Sequence, residues 1–216
     1  MKVVWVVAGG HCTAEQLSRH SRGHEHIICA DSGAEVVMAA RLLPSLVVGD
    51  FDSLDPARLA EVRRAGVQVV EYAVEKDASD VELALDQALV VNPTELTLWG
   101  GWGSRWDHSL ANINLLAGLA SRYPSMQIKM VDSHNVLRFV NQELSWQGPI
   151  GSPVSLLPYS PVAEGVTSQG LHYPLLNATL WREATLGISN HLCEERASVM
   201  VKSGLLMLMH SYDAVL

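Results

Sequence analysis

The chain of 216 residues carries 15 Lys and Arg against 23 Asp and Glu, a formal charge of −8, with 48% hydrophobic and 18% charged residues. Such a composition excludes an intrinsically disordered chain, which lacks the apolar surface to offset its ordering entropy. The acidic balance gives no overall positive field for nucleic acid, and a chain of this length buries roughly 70% of its extended surface, so it needs no disulfide or metal staple.

The apolar run after Lys2 is only six residues long before Gly9, Gly10 and His11. That is too short for a membrane span or the core of a signal peptide, so we expect a buried first strand and no membrane partner. Further strand candidates are HIICA at 26–30, SLVVG at 45–49, VQVVEY at 67–72 and ELTLWG at 95–100. None alternates, as expected of strands covered on both faces. His20, His24 and His26 lie in a polar stretch that Gly23 interrupts, which reads as a solvated loop. Helical periodicity runs over 32–43, 56–65, 79–91 and 108–121. In the third of these, Val81, Leu83, Ala84, Leu85, Ala88 and Leu89 form an apolar stripe while Glu82, Asp86 and Gln87 lie off it. Strand and helix in repeated order predict right-handed crossovers and an α/β, doubly wound, largely parallel sheet, whose ligands sit outside the carboxyl ends of the strands.

After about Tyr123 the texture changes. MQIKMVDSHNVLRFV, PVSLLPYSP, LLNATLW, TLGISN, ASVMVK and GLLMLMHS are separated by Gly, Pro, Asn and Ser signals every eight to twelve residues. This spacing predicts an antiparallel β-sandwich or barrel. We therefore expect two domains, 1–138 and 139–216. Cys12, Cys29 and Cys193 are odd in number and form no CxxC pair, which suits reduced thiols in a cytoplasmic protein.

Chemistry-bearing residues gather where strands end. SLVV runs into GDFDS, so Asp50 and Asp52 leave a strand at a glycine and can point the same way. VQVVEY runs into EKDASD, with Asp77 in a loop and Asp80 opening the next helix. HIICA ends at Asp31, followed by Ser32. Each Asp taken singly is accounted for as a helix cap or turn former. The recurrence of the set at strand ends points instead to a hard divalent cation, because bare carboxylates about 4 Å apart repel by roughly 4 kcal/mol at an effective dielectric near 20. Oxygen-only ligands without a neighbouring His or Cys favour Mg²⁺, which commonly shares phosphate oxygens with a nucleotide. The strand ELTLWG enters GGWGSRWDHSLANINLL, in which Gly100, Gly101 and Gly103 permit close backbone approach. There Arg105 offers a planar fork for phosphate, and Asp107 and His108 open a helix, where amide donors favour an anion. Asp107 is equally accounted for as a simple cap. Trp99, Trp102 and Trp106 could stack on a base or fill the core. No GxxxxGK[ST] sequence is present, which excludes a P-loop enzyme.

ADSGAE at 30–35, VVGDFDSLDP at 47–56, EKDASDVELAL at 75–85 and GGWGSRWDHSLANINLL at 100–116 resemble, in that order, the signatures of the thiamine pyrophosphokinase family. SLLP at 155–158, GLHYPL at 170–175 and ISN at 188–190 extend the resemblance into the second half. The resemblance implies an N-terminal α/β catalytic domain, a C-terminal β-sandwich of jelly-roll type, and a homodimer. It also implies ATP-dependent, Mg²⁺-requiring transfer of a diphosphate group to the hydroxyl of thiamine, giving thiamine diphosphate and AMP. By position it makes Asp50, Asp52, Asp77 and Asp80 the catalytic metal and phosphate ligands, with Asp31 and Ser32 beside them. Lys76, Arg105, Asp107 and His108 fall in the ATP site, and Tyr173, Ser189 and Asn190 in the thiamine site of the partner subunit. Ser32 and Ser104 stand where the family has glycine, so a positive φ at either would be strained, and Glu35 stands where an amide is usual. Two other readings of the residues remain. DFDSL also resembles the DxD of aspartate-nucleophile phosphohydrolases, although that motif follows a first strand and here follows the third. A nucleotide-sensing module without catalysis would carry the same cluster.

Overall fold

The computed structural model describes residues 2–52 and 54–212. Ser53 of the GDFDS run and the end of the expected second domain, 213–216, lie outside the described residues. The chain divides into two compact units, one of residues 1–116 and 125–133, the other of residues 117–124 and 134–216.

The first unit is built on β1 (Val3–Val7), β2 (His26–Ala30), β3 (Leu46–Gly49), β4 (Gln68–Glu71), β5 (Glu95–Trp99) and β6 (Gln127–Val131). All pair in parallel, in the order β6-β5-β1-β2-β3-β4. Val4, Val6, Ile28, Val47, Val48, Leu96 and Leu98 are fully buried, which is why these strands read as unbroken apolar runs. Each such side chain contributes roughly 1.5–3 kcal/mol by leaving water. The segment 127–131 has the texture of the second half, yet it pairs with β5 in parallel register, Leu98 opposite Met130. A short strand buried on one side alternates whichever way its neighbour runs, so texture alone could not place it.

Helices α1 (Ala14–His20), α2 (Gly33–Ala39), α3 (Pro56–Arg64), α4 (Asp80–Val90) and α5 (Trp106–Arg122) follow the first five strands. α1 is a helix that the periodicity does not show; of the three histidines expected in a solvated loop, only His20 belongs to it. Its start is a reciprocal capping box: Gln16 N–H donates to Thr13 Oγ1 at 3.2 Å, and Thr13 N–H donates to Gln16 Oε1 at 2.9 Å. A T-x-x-Q sequence is the signal for this, and the surrounding polar residues hid it. His20 then packs on Trp99 with centroids 5.3 Å apart, and Trp99 meets Trp5 edge-on, so Trp99 belongs to the core. α3 and α4 start as their sequences dictate. Asp55 caps the first ahead of Pro56, and Ser79 Oγ caps the second by accepting from Glu82 N–H at 3.2 Å. Gly23 and Gly66, with φ of 77° and 76°, turn the chain ahead of β2 and β4, and a side chain at either would meet open space.

The second unit holds two antiparallel sheets. One has the order β12-β9-β14-β7, from β7 (Asn135–Val140), β9 (Pro153–Pro158), β12 (Asn190–His191) and β14 (Leu206–Ser211). The other has the order β11-β10-β13-β8, from β8 (Glu143–Gln147), β10 (Val162–Gln169), β11 (Ala178–Trp181) and β13 (Arg196–Met200). β14 alternates buried and part-buried residues along its length. Side chains from both sheets, among them Trp146, Leu156, Val166, Leu180, Val199 and Leu208, close one apolar core. Two strands escape the sequence reading. β10 is interrupted by Gly165, where the register with β11 shifts, and β8 shows only a weak alternation. TLGISN, by contrast, contributes to a strand only through Asn190, the first residue of β12.

His210 sits fully buried on β14. Its Nε2 lies 2.7 Å from Ser152 Oγ and its Nδ1 lies 3.0 Å from the Tyr212 hydroxyl. Burial, reinforced by the charge of Arg138, pushes its pKa down to about 4. The unfolded chain takes up this proton near pH 6.5, so between these values the unfolded state binds more protons and stability rises with pH. The contribution of neutral His210 is therefore complete above pH 6.5 and is lost as pH falls toward 4, in all by roughly 3 kcal/mol. We expect the pH dependence of urea unfolding between pH 6.5 and 4 to be shallower in His210→Gln than in the native chain; parallel profiles would contradict this.

Candidate active site

In the first unit's sheet, β1 and β5 are neighbours, and the crossovers that follow them run in opposite directions, to β2 and to β6. This is the switch point at which open α/β sheets bind ligands. The loops after β1 and β5 meet there backbone to backbone: Gly10 N–H donates to Gly100 O at 3.0 Å and His11 N–H to Trp102 O at 2.7 Å. A Cβ on Gly10 would run into the carbonyls of Gly100 and Trp102, and Gly100, with φ 64°, has Ala8 O against the place a Cβ would take. Two buried polar side chains of α5 anchor the glycine-rich loop from below. Ser109 Oγ accepts from Gly103 N–H at 3.1 Å, and Asn112 Nδ2 donates to Gly101 O at 2.8 Å.

A cavity of about 610 Å³ opens over this seam. Its lining includes Gly9, Gly10 and His11 after β1, Asp31 and Ser32 after β2, and Asp50 and Asp52 after β3. Asp80 at the start of α4 and Gly103, Ser104, Arg105 and His108 around the start of α5 complete it. Asp31, Asp50, Asp52 and Asp80 thus face one space from three separate crossover units. Asp77, expected as a fourth metal ligand, does not line this cavity and is exposed. The loop that carries Lys76 inward turns its neighbour Asp77 toward solvent.

Lys76 bridges two of the aspartates, its Nζ 2.5 Å from Asp50 Oδ2 and 3.0 Å from Asp80 Oδ1. The hydrogen bond from Lys76 holds the Asp50 carboxyl below its ordinary range against the burial that would raise it. For Lys76 burial pulls the other way, and its bonds to both carboxylates outweigh that and raise its pKa. Asp50 Oδ1 in turn accepts from Asp52 N–H at 3.3 Å. Among the described residues no three His, Cys, Asp or Glu side chains stand close enough to enclose an ion by themselves. That donor set still fits Mg²⁺, which is satisfied by one or two carboxylates with waters and phosphate oxygens, and would not suit an ion that demands a closed protein cage.

On the rim, Arg105 clasps Asp107 with both arms of its guanidinium, Nε to Oδ1 at 2.9 Å and Nη2 to Oδ2 at 2.6 Å. The pairing holds the Asp107 carboxyl far below its usual range. Both side chains are exposed, so the clasp is worth little to stability and leaves Arg105 free to exchange partners. Trp106, 70% exposed, tilts against Trp102 at 6.3 Å. Neither serine at a family glycine position is strained. Ser32 has φ −59°, and Ser104 is not among the positive-φ residues; the left-handed backbone falls instead on Asp31 (φ 47°) and Phe51 (φ 60°). Nearby Cys12 is an inert thiol, its pKa pushed up to about 12 by burial.

Residues 17–130 match the family model described as thiamin pyrophosphokinase, catalytic domain, and residues 141–206 match that of the vitamin B1 binding domain of thiamin pyrophosphokinase. The chain belongs to the thiamin pyrophosphokinase family. It is 31% identical to the thiamine pyrophosphokinase of Bacillus subtilis over 99% of this chain and 100% of that one. It superposes on the crystal structure of thiamine pyrophosphokinase from Bacillus subtilis with a TM-score of 0.89 at 29% identity, over 98% of this chain and 100% of the other. The thiamin pyrophosphokinase of Geobacillus thermodenitrificans gives a TM-score of 0.85 at 29% identity, covering 98% of each.

The second unit places the other family-matched residues. Asn190 is buried and spends its amide on backbone, accepting from Tyr173 N–H at 3.0 Å and His191 N–H at 2.9 Å and donating to Tyr173 O at 2.7 Å. Tyr173 is exposed and meets the rings of His172 and His191 edge-on, while those two rings stack at 4.4 Å. Ser189 is exposed in a left-handed conformation, φ 57°, with its N–H toward Ser155 Oγ. The side chains that the motifs did not single out are His11, Ser109 and Asn112. A Gly-Gly pair directly after the first strand is the signal for the first. Polar residues three apart on an otherwise apolar helix face are the signal for the other two. Replacing Asn112 with Ala strands a buried carbonyl, and we expect a loss of about 1–3 kcal/mol in chemical denaturation; a change of only a few tenths would mean the loop relaxes without its anchor.

Proposed function

We propose that this chain transfers a diphosphate group from ATP to the hydroxyl of thiamine, yielding thiamine diphosphate and AMP. The observation that carries the reading is the cavity at the strand ends, where an acidic wall faces a glycine-lined backbone seam, in a chain that matches the family along nearly its whole length. Asp50, Asp52 and Asp80 would hold Mg²⁺, which when bound supplies neutralisation of charge on the bridging and leaving phosphate oxygens. Gly9 and Gly10 line the space where the triphosphate would lie, and Arg105 exchanges its carboxylate for phosphate oxygens, the same planar geometry serving both. His108 and Ser32 border the same space. The hydroxyl of thiamine attacks the β-phosphorus in line, so the protein's work is positioning and a fixed electrostatic environment.

We further propose that residues 1–138 bind ATP and metal while 139–216 bind thiamine through the segment of Tyr173, Ser189 and Asn190. Asn190 acts in this by fixing the Tyr173 backbone. The exposed apolar side chains of that unit, Leu176, Trp181, Leu186 and Ile188, support a homodimer, and the uncoupled thiols support a cytoplasmic setting. A phosphohydrolase with Asp50 as nucleophile is not favoured, because the DxD of that class follows a first strand and Asp50 follows β3.

Incubation with ATP, Mg²⁺ and thiamine, with chromatographic separation of products, tests the reaction. We expect AMP and thiamine diphosphate in equal amounts, and a fall in turnover of about a hundredfold or more in Asp52→Asn with an unchanged circular dichroism spectrum. AMP-free phosphate release, or full activity of Asp52→Asn at saturating Mg²⁺, would refute it. For Asn190→Ala we expect the KM for thiamine to rise several-fold while that for ATP stays within about twofold; equal shifts would remove Asn190 from the vitamin side.

A further inference from the structure

We infer that Lys76 is a positioning residue for the metal-binding carboxylates and does not hold the nucleotide phosphates. The inference rests on the reading of Asp50 and Asp80 as Mg²⁺ ligands. Lys76 sits in the connection between β4 and α4, four residues ahead of Asp80 and just before the Ser79 cap. Its side chain is 15% exposed and is not part of the cavity lining, whereas both of its partners are. The ammonium therefore meets the aspartates from outside the cavity.

The contacts divide the oxygens of each carboxylate. Asp80 Oδ1, on the Lys76 side, is buried from solvent, although the Asp80 side chain as a whole is 26% exposed. Its second oxygen is then the one open to the cavity. Asp50 gives Oδ2 to Lys76 and Oδ1 to the Asp52 amide, so its plane is fixed by two donors on different elements. One ammonium, hydrogen-bonded to Asp50 and ion-paired with Asp80, thus stands between two carboxylates that come from separate crossovers and would otherwise repel each other. Ligand orientation set by such an outer partner commonly decides 10–100-fold in metal affinity. Arg105, by contrast, lines the cavity and holds its carboxylate in solvent, where it can be exchanged for phosphate.

The two roles separate when metal and nucleotide are titrated independently. Mn²⁺ binding to the full-length protein with ATP present is read by electron paramagnetic resonance, and ATP binding in EDTA by isothermal calorimetry. For Lys76→Met we expect the Mn²⁺ dissociation constant to rise by about tenfold or more and metal-free ATP affinity to stay within about twofold. Lys76→Arg, which keeps the charge and the donors, should recover most of the Mn²⁺ affinity. Unchanged or tighter Mn²⁺ binding in Lys76→Met overturns the inference. So does a parallel loss of metal-free ATP affinity, which would mark a phosphate contact. If Lys76→Met does not fold, the Lys76→Arg comparison decides alone: native metal affinity with native metal-free ATP affinity supports the role, and a selective loss of ATP affinity refutes it. Failure of the native chain to bind Mn²⁺ at all, or to form AMP with thiamine, would strike the proposed function itself and is distinguishable from these outcomes.

Discussion

The first unit depends on a backbone seam. Two loops, after β1 and β5, lie so close that amide meets carbonyl with no side chain between, and Gly10 and Gly100 are the residues that make the approach sterically possible. Parallel pairing of Val7 with Trp99 brings the two strand ends level. Ser109 and Asn112 then carry the constraint into α5, so helix, loop and sheet are fixed with respect to one another at the point where the cavity opens. A substitution there would disturb the cavity floor before it disturbed the core.

Charge supplies the second constraint. An acidic wall is unfavourable in a folded protein unless something offsets the repulsion. Two devices do so. Lys76 couples Asp50 to Asp80, and Arg105 couples to Asp107 on the rim. They differ in burial and hence in consequence: the Lys76 contacts are largely withdrawn from water and fix geometry, while the Arg105 clasp is solvated, worth little by itself, and easily exchanged. The chain thereby combines a part-buried acidic arrangement with a solvated cationic one.

Much of this was legible in the residues. Five strands of the alternating half and four of its helices follow from apolar runs and the 3.6 period; burial on both faces gives β1, β2, β3 and β5 their strong composition signal, while β4, at the sheet edge, is only part-buried. α1 was missed because a seven-residue helix held by a capping box has almost no apolar stripe to show. β6 falls inside the expected first domain, but its texture reads as antiparallel, since pairing direction is decided by the crossover through α5 and not by the strand's own residues. In the site, the strand-end aspartates could be found from position alone, but the inward turn of Lys76 and the outward turn of Asp77 could not. Adjacent residues in a loop share no periodicity, and only the tertiary position of Asp50 determines which of them is drawn in. Asn190 was legible as important but not as a backbone clamp, for the same reason.

The edge of the sheet opposite the cavity carries none of these constraints. Gly23 and Gly66 bend the chain there with empty surroundings, and the turns they form touch nothing that orients the aspartates or the glycine seam. New chain ends, a spliced-in peptide or a fused reporter module placed at either turn would be accommodated on the far side of the fold, making these two bends natural entry points for rebuilding the molecule without retuning its chemistry.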